Sequence, residues 1–256
     1  MTGIILFAIG VSFCLVIFGV PVLRRTLVSK GIYDNPNERS SHSRPTPRGG
    51  GIVVLLSIAL SLTILWGSNI LLPDGLMIVL VLACSLGLVS WIDDLCRISA
   101  LIRLLCQVVT VATVTYFYPT YAIGALPFLP EWVALLTVAT AWIWFINLYN
   151  FMDGIDGMTG VETVSICIGL TLLTLTGILA DDIIPPLAII GAAALAFLYW
   201  NWSPAKIFLG DVGSIPLGFL LGWFILKAAN DGAFVVALII PGYYLADATI
   251  TLARRA

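Results

Sequence analysis

Long apolar runs make up most of this chain, and short polar breaks separate one run from the next. A helix that crosses a bilayer needs about 20 apolar residues. Nine runs approach that length: 4–22, 50–67, 75–92, 101–118, 131–149, 159–179, 185–200, 215–229 and 233–252. The pattern predicts an all-α, polytopic transmembrane helix bundle of about nine spans, with residues 1–256 as a single integral membrane domain. Short breaks fall near 68–74, 180–184 and 230–232. A longer break at 119–130 holds Pro119, Pro127 and Pro130 and is expected to lie along the outer surface. The connections 23–49, 93–100, 150–158 and 201–214 are the other polar stretches, together with the tail from 253.

Local signals place some helix starts. Thr159 with Glu162 reads as a capping box at the head of the sixth run. Pro185 and Pro186 suit the first turn of the seventh. Ser214 followed by Pro216 marks the start of the eighth.

Charge sets an orientation. No Lys or Arg precedes the first run, while Arg24 and Arg25 follow it directly. A secretory signal peptide carries its positive charge first, so the first run reads as a helix with its N-terminus outside. Counting spans from there puts all five polar segments on the cytoplasmic side. In or beside them lie 11 of the 12 Lys and Arg residues, Arg103 among them, and only Lys227 falls near an outer end. Basic residues concentrate on the inner side of membrane proteins, so two independent readings agree.

Composition narrows the class. The chain is 60% hydrophobic and 10% charged, with mean hydropathy +1.07. Soluble domains carry about 25% charged residues. A net charge of −2 gives no sign of nucleic-acid binding. The five cysteines form no Cys-x-x-Cys pair, and one histidine, His42, gives a His-based metal site little to work with.

The candidate chemistry lies in the polar connections. Asp153 and Asp156 sit three apart, each followed by glycine, with Asn147 and Asn150 before them. Carboxylate and amide oxygens suit Mg²⁺ and polar substrates; the plain alternative is an Asp-Gly turn between helices. Asp93 and Asp94 end the third run, where acids oppose the helix dipole and repel each other. Either a cation or polar ligand compensates them, or both face water with Arg97 nearby. Asp211, between Gly210 and Gly213, precedes a helix start that offers N–H groups to an anion. Its ordinary role would be capping, and Lys206 would add a point charge for phosphate. Arg48 with Gly49, Gly50 and Gly51 offers a cation and three exposed amides as a phosphate cradle. Five carboxylates on one face, interleaved with cations, are what metal-dependent phosphoryl transfer requires. The inner membrane surface further implies one lipid and one water-soluble substrate.

These motifs resemble the polyprenyl-phosphate N-acetylhexosamine-1-phosphate transferases, which include phospho-N-acetylmuramoyl-pentapeptide transferase. The likeness rests on Asp93-Asp94, on Asn147, Asn150, Asp153 and Asp156 with their glycines, and on Asn201 with Pro204 to Ser214. It runs from Asp34 to about Thr251, and the segment from Asn35 to Gly51 is similar to the branch that initiates O-antigen or other surface glycans.

The resemblance implies a reaction at the bacterial inner membrane. Undecaprenyl phosphate attacks a UDP-N-acetylhexosamine, giving undecaprenyl-diphospho-sugar and UMP, with Mg²⁺ required and Mn²⁺ as an alternative. It implies Asp211 as metal ligand, and Asp93 and Asp94 as paired acids that bind metal or assist the nucleophile. Asn150, Asp153 and Asp156 would form the nucleotide and active-site group. Asn147, Asn201, Arg48, Lys206 and Arg97 are the remaining substrate-binding candidates. Arg97 stands where relatives often have Lys. Relatives also continue into a His-containing loop and a further span, so the expectation is a chain lacking both. A homodimer, a secondary transporter and a catalytically silent homologue stay open. Release of UMP from a UDP-sugar separates the enzyme from the transporter.

Overall fold

The computed structural model describes residues 1–36, 44–96 and 98–255. Helix α1 (Thr2–Ser29) runs past the predicted end of its apolar run. Its stop is set by Gly31 at φ +69°, with Gly31 N bonded to Val28 O and Ile32 N to Leu27 O. Glycine tolerates that left-handed conformation, and the two bonds satisfy terminal carbonyls. The chain then forms a two-stranded antiparallel ladder, β1 (Tyr33–Asp34) with β2 (Thr46–Pro47).

Next come α2 (Gly51–Gly67), α3 (Leu76–Cys96), α4 (Ala100–Phe117), the short α5 (Pro119–Ala125) and α6 (Glu131–Met152). They are followed by α7 (Met158–Leu175), a 3-10 turn at Asp181–Ile183, and α8 (Ile184–Asn201). Helix α9 (Asp211–Ala228) leads through a π-helical turn, Ala229–Ala233, into α10 (Phe234–Ile239) and α11 (Gly242–Arg255).

Among the described residues, seven helical stretches are long and apolar enough to cross a membrane. They are Thr2–Ser29, Leu76–Cys96, Ala100–Phe117, Glu131–Met152, Met158–Leu175, Asp181–Asn201 and Asp211–Ile239. The second predicted run forms α2, whose 17 residues rise about 26 Å against a hydrocarbon core of about 30 Å. The ninth run is interrupted rather than continuous. Gly232 at φ +100° kinks the chain, and Pro241 with Gly242 separates α10 from α11. Beyond the kink the chain comes back along α6, where the Tyr244 hydroxyl reaches Tyr149 O at 3.2 Å.

Three predicted helix starts can be compared with the structure. Pro185 and Pro186 do open α8. Thr159 does not cap α7: Gly157, at φ +76°, is the N-cap, and Thr159 is the second helical residue. The positive φ of Gly157 lets the chain turn in two residues earlier than a threonine could. Nor does α9 begin at Ser214. Gly210, at φ +77°, admits the chain, and Pro216 sits inside the helix.

Helix α9 is the axis of the bundle, with every residue except Ile225 buried. Such burial needs close neighbours, and small residues permit them. A methyl built on Gly51 would overlap the backbone of Gly213, and one on Gly222 would overlap the Trp142 ring. At Gly218 a methyl would lie 3.0 Å from Tyr149 Cβ. The glycines of α9 therefore let α2 and α6 lie almost backbone to backbone against it.

Gly51→Ala should lower stability by about 1–3 kcal/mol or prevent folding, because backbone on both sides must give way. Gly67→Ala, in open space on the same helix, should stay within about 0.5 kcal/mol of the parent. Thermal melting in detergent reads both. Equal melting of the two variants would refute the close crossing.

Candidate functional site

Four connections meet at one end of the bundle, and backbone bonds tie the loop before α2 to the segment before α9. Phe208 N donates to Pro47 O at 2.8 Å, while Gly49 N and Gly50 N donate to Phe208 O at 3.1 and 2.9 Å. Gly51 N donates to Leu209 O at 2.9 Å. This corrects the expected phosphate cradle. The three amides are not exposed; they bind the segment before α9, because a buried N–H left unpaired is costly.

The side chains of this end converge on Asp211. Its position in the first turn of α9 suits a negative charge, but its carboxylate does not cap the helix. Asp211 Oδ1 pairs with Arg48 Nη2, and Oδ2 lies 3.1 Å from Arg103 Nη1. The same two arginines reach the paired acids: Arg48 Nη2 to Asp94 Oδ1 and Arg103 Nη1 to Asp93 Oδ2, each 3.0 Å. Asp93 Oδ1 also accepts from Ile98 N at 2.6 Å. The repulsion at the end of α3 is thus answered by cations from α4 and from the loop before α2. Burial opposes the charge on Arg48, yet Asp211, Asp94, Asp34 and Asp153 together hold its pKa above the ordinary value.

The other candidates occupy three neighbouring places. Asp153 ends α6, and burial pushes its carboxyl up to about 7, with Asp211 adding to the rise. Thr159, Arg48 and the Gly210 N–H pull the other way. Asn150 Oδ1 accepts from Ser214 Oγ at 2.6 Å, tying α6 to α9. Asp156 Oδ2 accepts from Ala205 N at 3.0 Å. Asn201 is buried; Gly157 N donates to its Oδ1 at 2.9 Å, and its Nδ2 donates to Ile207 O at 3.1 Å. Both polar ends of Asn201 therefore hold loops together.

Two candidates stand outside the carboxylate group. Asn147 exchanges bonds with Gln107, donating to Oε1 at 2.7 Å, and so couples α6 to α4. Lys206 Nζ stands 5.2 Å from the centres of the Tyr199 and Trp200 rings, while its carbonyl accepts from Arg24 Nε at 2.9 Å. A cleft of about 600 Å³ adjoins it, lined among others by Arg24, Arg44, Thr46, Asp156, Lys206 and Phe208. Arg97 and His42 lie outside the described residues.

Sequence reasoning missed Arg103, which bridges two of the three central carboxylates. It counted that residue only as an inner charge flanking a span. The signal was its place within the fourth apolar run, since an ionisable residue at membrane depth is expensive and tends to be functional.

Whether the site suits a divalent cation is a separate question. Among the described residues no three Asp, Glu, Cys or His side chains are gathered as a metal cage. The carboxylates are held by guanidinium groups instead. Their chemistry nevertheless fits: these are hard oxygen donors, and Asp94 Oδ2 is buried with no hydrogen-bond partner among the described residues.

Comparison with known proteins adds the family. The profile described as glycosyl transferase family 4 matches residues 76–229, from the start of α3 to the π-helical turn. The chain belongs to glycosyl transferase family 4. This family 4 member is 28% identical over 265 residues to a Bacillus subtilis (strain 168) protein named probable undecaprenyl-phosphate N-acetylglucosaminyl 1-phosphate transferase. That alignment covers 98% of this chain and 72% of the relative. It is also 28% identical over 300 residues to a phospho-N-acetylmuramoyl-pentapeptide-transferase of Mycobacterium sp. (strain KMS), covering 96% and 81%. The enzyme of the same name from Streptococcus sanguinis (strain SK36) matches at 28% over 230 residues, covering 82% and 70%. With its apolar helices, the family 4 member is a multi-pass membrane protein of a transferase family.

The raised Asp153 carboxyl gives a pH test. The folded state holds its proton where the unfolded chain has lost it, so stability falls as pH rises from about 4 to about 7. Asp153→Asn should therefore melt later than the parent at pH 8, by about 1–2 kcal/mol after allowing for the side chain's residual exposure. At pH 4 the two should melt together. A gain that persists at pH 4, or none at pH 8, would refute the assignment.

Proposed function

We propose that this chain moves N-acetylhexosamine 1-phosphate from a UDP-sugar to undecaprenyl phosphate, yielding undecaprenyl-diphospho-sugar and UMP, to initiate a cell-surface glycan. The observation that carries this reading is the convergence of Asp93, Asp94 and Asp211 on Arg48 and Arg103 at one end of an apolar bundle. Phosphoryl transfer relies on positioning and charge neutralisation more than on covalent chemistry, and such a group supplies both. The activities for which the relatives are named lend support.

The parts divide the work. A lipid phosphate oxygen attacks the β-phosphorus, the bond from that phosphorus to the bridging oxygen breaks, and UMP leaves with that oxygen. Arg48 and Arg103 would face the diphosphate charge, each already drawn forward by carboxylates. Asp93 and Asp94 would orient the arginines and the incoming lipid phosphate. The cleft beside Asp156, Phe208, Arg44 and Lys206 is sized for a nucleotide. An apolar cavity of about 290 Å³, lined by residues including Trp142, Phe145, Gly222, Phe234 and Leu245, suits part of a prenyl chain. Asp211, Asp94 and Asp93 would hold Mg²⁺, which when bound neutralises charge on the diphosphate.

The same reading puts this end in the cytoplasm of a bacterial inner membrane with the N-terminus outside. Arg24, Arg25, Lys30, Arg44 and Lys206 lie in or beside its connections, as an inner face requires.

The decisive experiment supplies membranes containing the chain with undecaprenyl phosphate, Mg²⁺ and a panel of labelled UDP-N-acetylhexosamines. Labelled lipid and released UMP are expected with at least one sugar; lipid label without UMP, or neither, would sink the proposal. Asp211→Asn should cut transfer at least about a hundredfold while the protein still inserts, and Asp93→Asn and Asp94→Asn at least about tenfold each, or roughly 1.4 kcal/mol. Near-normal turnover by Asp211→Asn would remove it from the site.

A further inference from the structure

Tyr149 lies in the last turn of α6, four residues before Asp153, and is fully buried. A phenol there is costly unless its hydroxyl is bonded. Its Oη contacts Thr163 Oγ1, and Thr163 Oγ1 in turn donates to Thr159 O at 2.7 Å. These bonds join the end of α6 to the first turns of α7. They cross the base of the segment that carries Asp153 and Asp156.

Helix α11 adds a second attachment. Tyr244 is fully buried, and its hydroxyl donates to Tyr149 O at 3.2 Å. The two rings lie 5.4 Å apart. On the opposite side α9 closes in, with Gly218 against Tyr149 Cβ and Ser214 holding Asn150. One turn of α6 is therefore gripped by α7, α9 and α11 at once, immediately before Asp153.

Resting on the transferase reading, we infer that the hydroxyls of Tyr149 and Tyr244 are positioning groups for the Asp153 to Asp156 segment. Their bonds go to Thr159, Thr163 and the Tyr149 carbonyl rather than to Asp93, Asp94 or Asp211. They act through Thr163, Thr159 and the α6 backbone to fix where Asp153 stands relative to Asp211 and Arg48. Misplacement by about 1 Å can cost a hundredfold in rate, so a clamp of this kind bears on turnover.

Tyr149→Phe keeps the ring and removes one hydroxyl; Thr163→Val removes one of that hydroxyl's two partners and leaves the other, Thr159 O at 3.3 Å. In purified full-length protein, amide hydrogen exchange across residues 153–158 should quicken about tenfold in each single variant. The double variant should exchange no faster than Tyr149→Phe alone, since that change already removes the hydroxyl that reaches Thr163 and Thr159. Tyr244→Phe should quicken the same residues. In the transfer assay each single variant should lose about tenfold in kcat, with KM for the UDP-sugar within about twofold. Unchanged exchange at 153–158 overturns the inference whether or not the protein transfers sugar phosphate. Faster exchange in the variants of a protein whose parent transfers nothing upholds the clamp and refutes the transferase reading. A lower melting temperature with exchange and kcat unchanged would reduce both hydroxyls to packing.

Discussion

The carboxylate of Asp211 depends on two arginines from separate elements, one at each oxygen, and the rest of this end depends on that meeting. Arg48 comes from the loop before α2 and Arg103 from α4, and each brings one acid of the α3 pair with it. Removing one partner from a buried ion pair leaves an uncompensated charge, which costs more than the pair was worth. The five groups are best understood as one unit, in which Asp211 and each arginine hold two partners, and Asp93 and Asp94 one arginine each. The unit rests on α9, which is why that helix has to be so deeply buried and why its glycines let α2 and α6 approach so closely.

The same arrangement reconciles two demands on the acids. As sequence, Asp93 and Asp94 looked unfavourable at the end of a helix, and the structure answers them with cations rather than with water. A phosphate-bearing substrate would compete with the carboxylates for those cations. The arginines are therefore already placed and partly buried before any anion arrives, and electrostatic preorganisation of this kind lowers the reorganisation that reaction demands.

Much of this was legible in the chain, for reasons that differ by residue. Asp93, Asp94, Asp153, Asp156 and Asp211 stood out because carboxylates at the edges of apolar runs break a strong pattern. Arg103 did not, because a basic residue a few positions inside a run also serves as an inner flank. The fate of Gly49, Gly50 and Gly51 was hidden because their amides pair with Phe208 and Leu209, far along the sequence. No local signal reports a partner at that distance. Helix existence was readable from apolar length, whereas α10 and α11 show how Gly232 and Pro241 cut a run that hydropathy alone joins. The capping-box reading of Thr159 failed because Gly157 offered a conformation that threonine does not.

The pairing of Arg48 with Asp211 spans 163 positions in the chain. During synthesis Arg48, Asp93, Asp94 and Arg103 all leave the ribosome before Asp211 exists. Until α9 enters the bilayer, Arg48 and Arg103 have only part of their counter-charge, and the amides of Gly49 to Gly51 have no carbonyls to meet. Insertion of α9 therefore completes the carboxylate and arginine group, and α11, made later still, adds the Tyr244 bond to the end of α6.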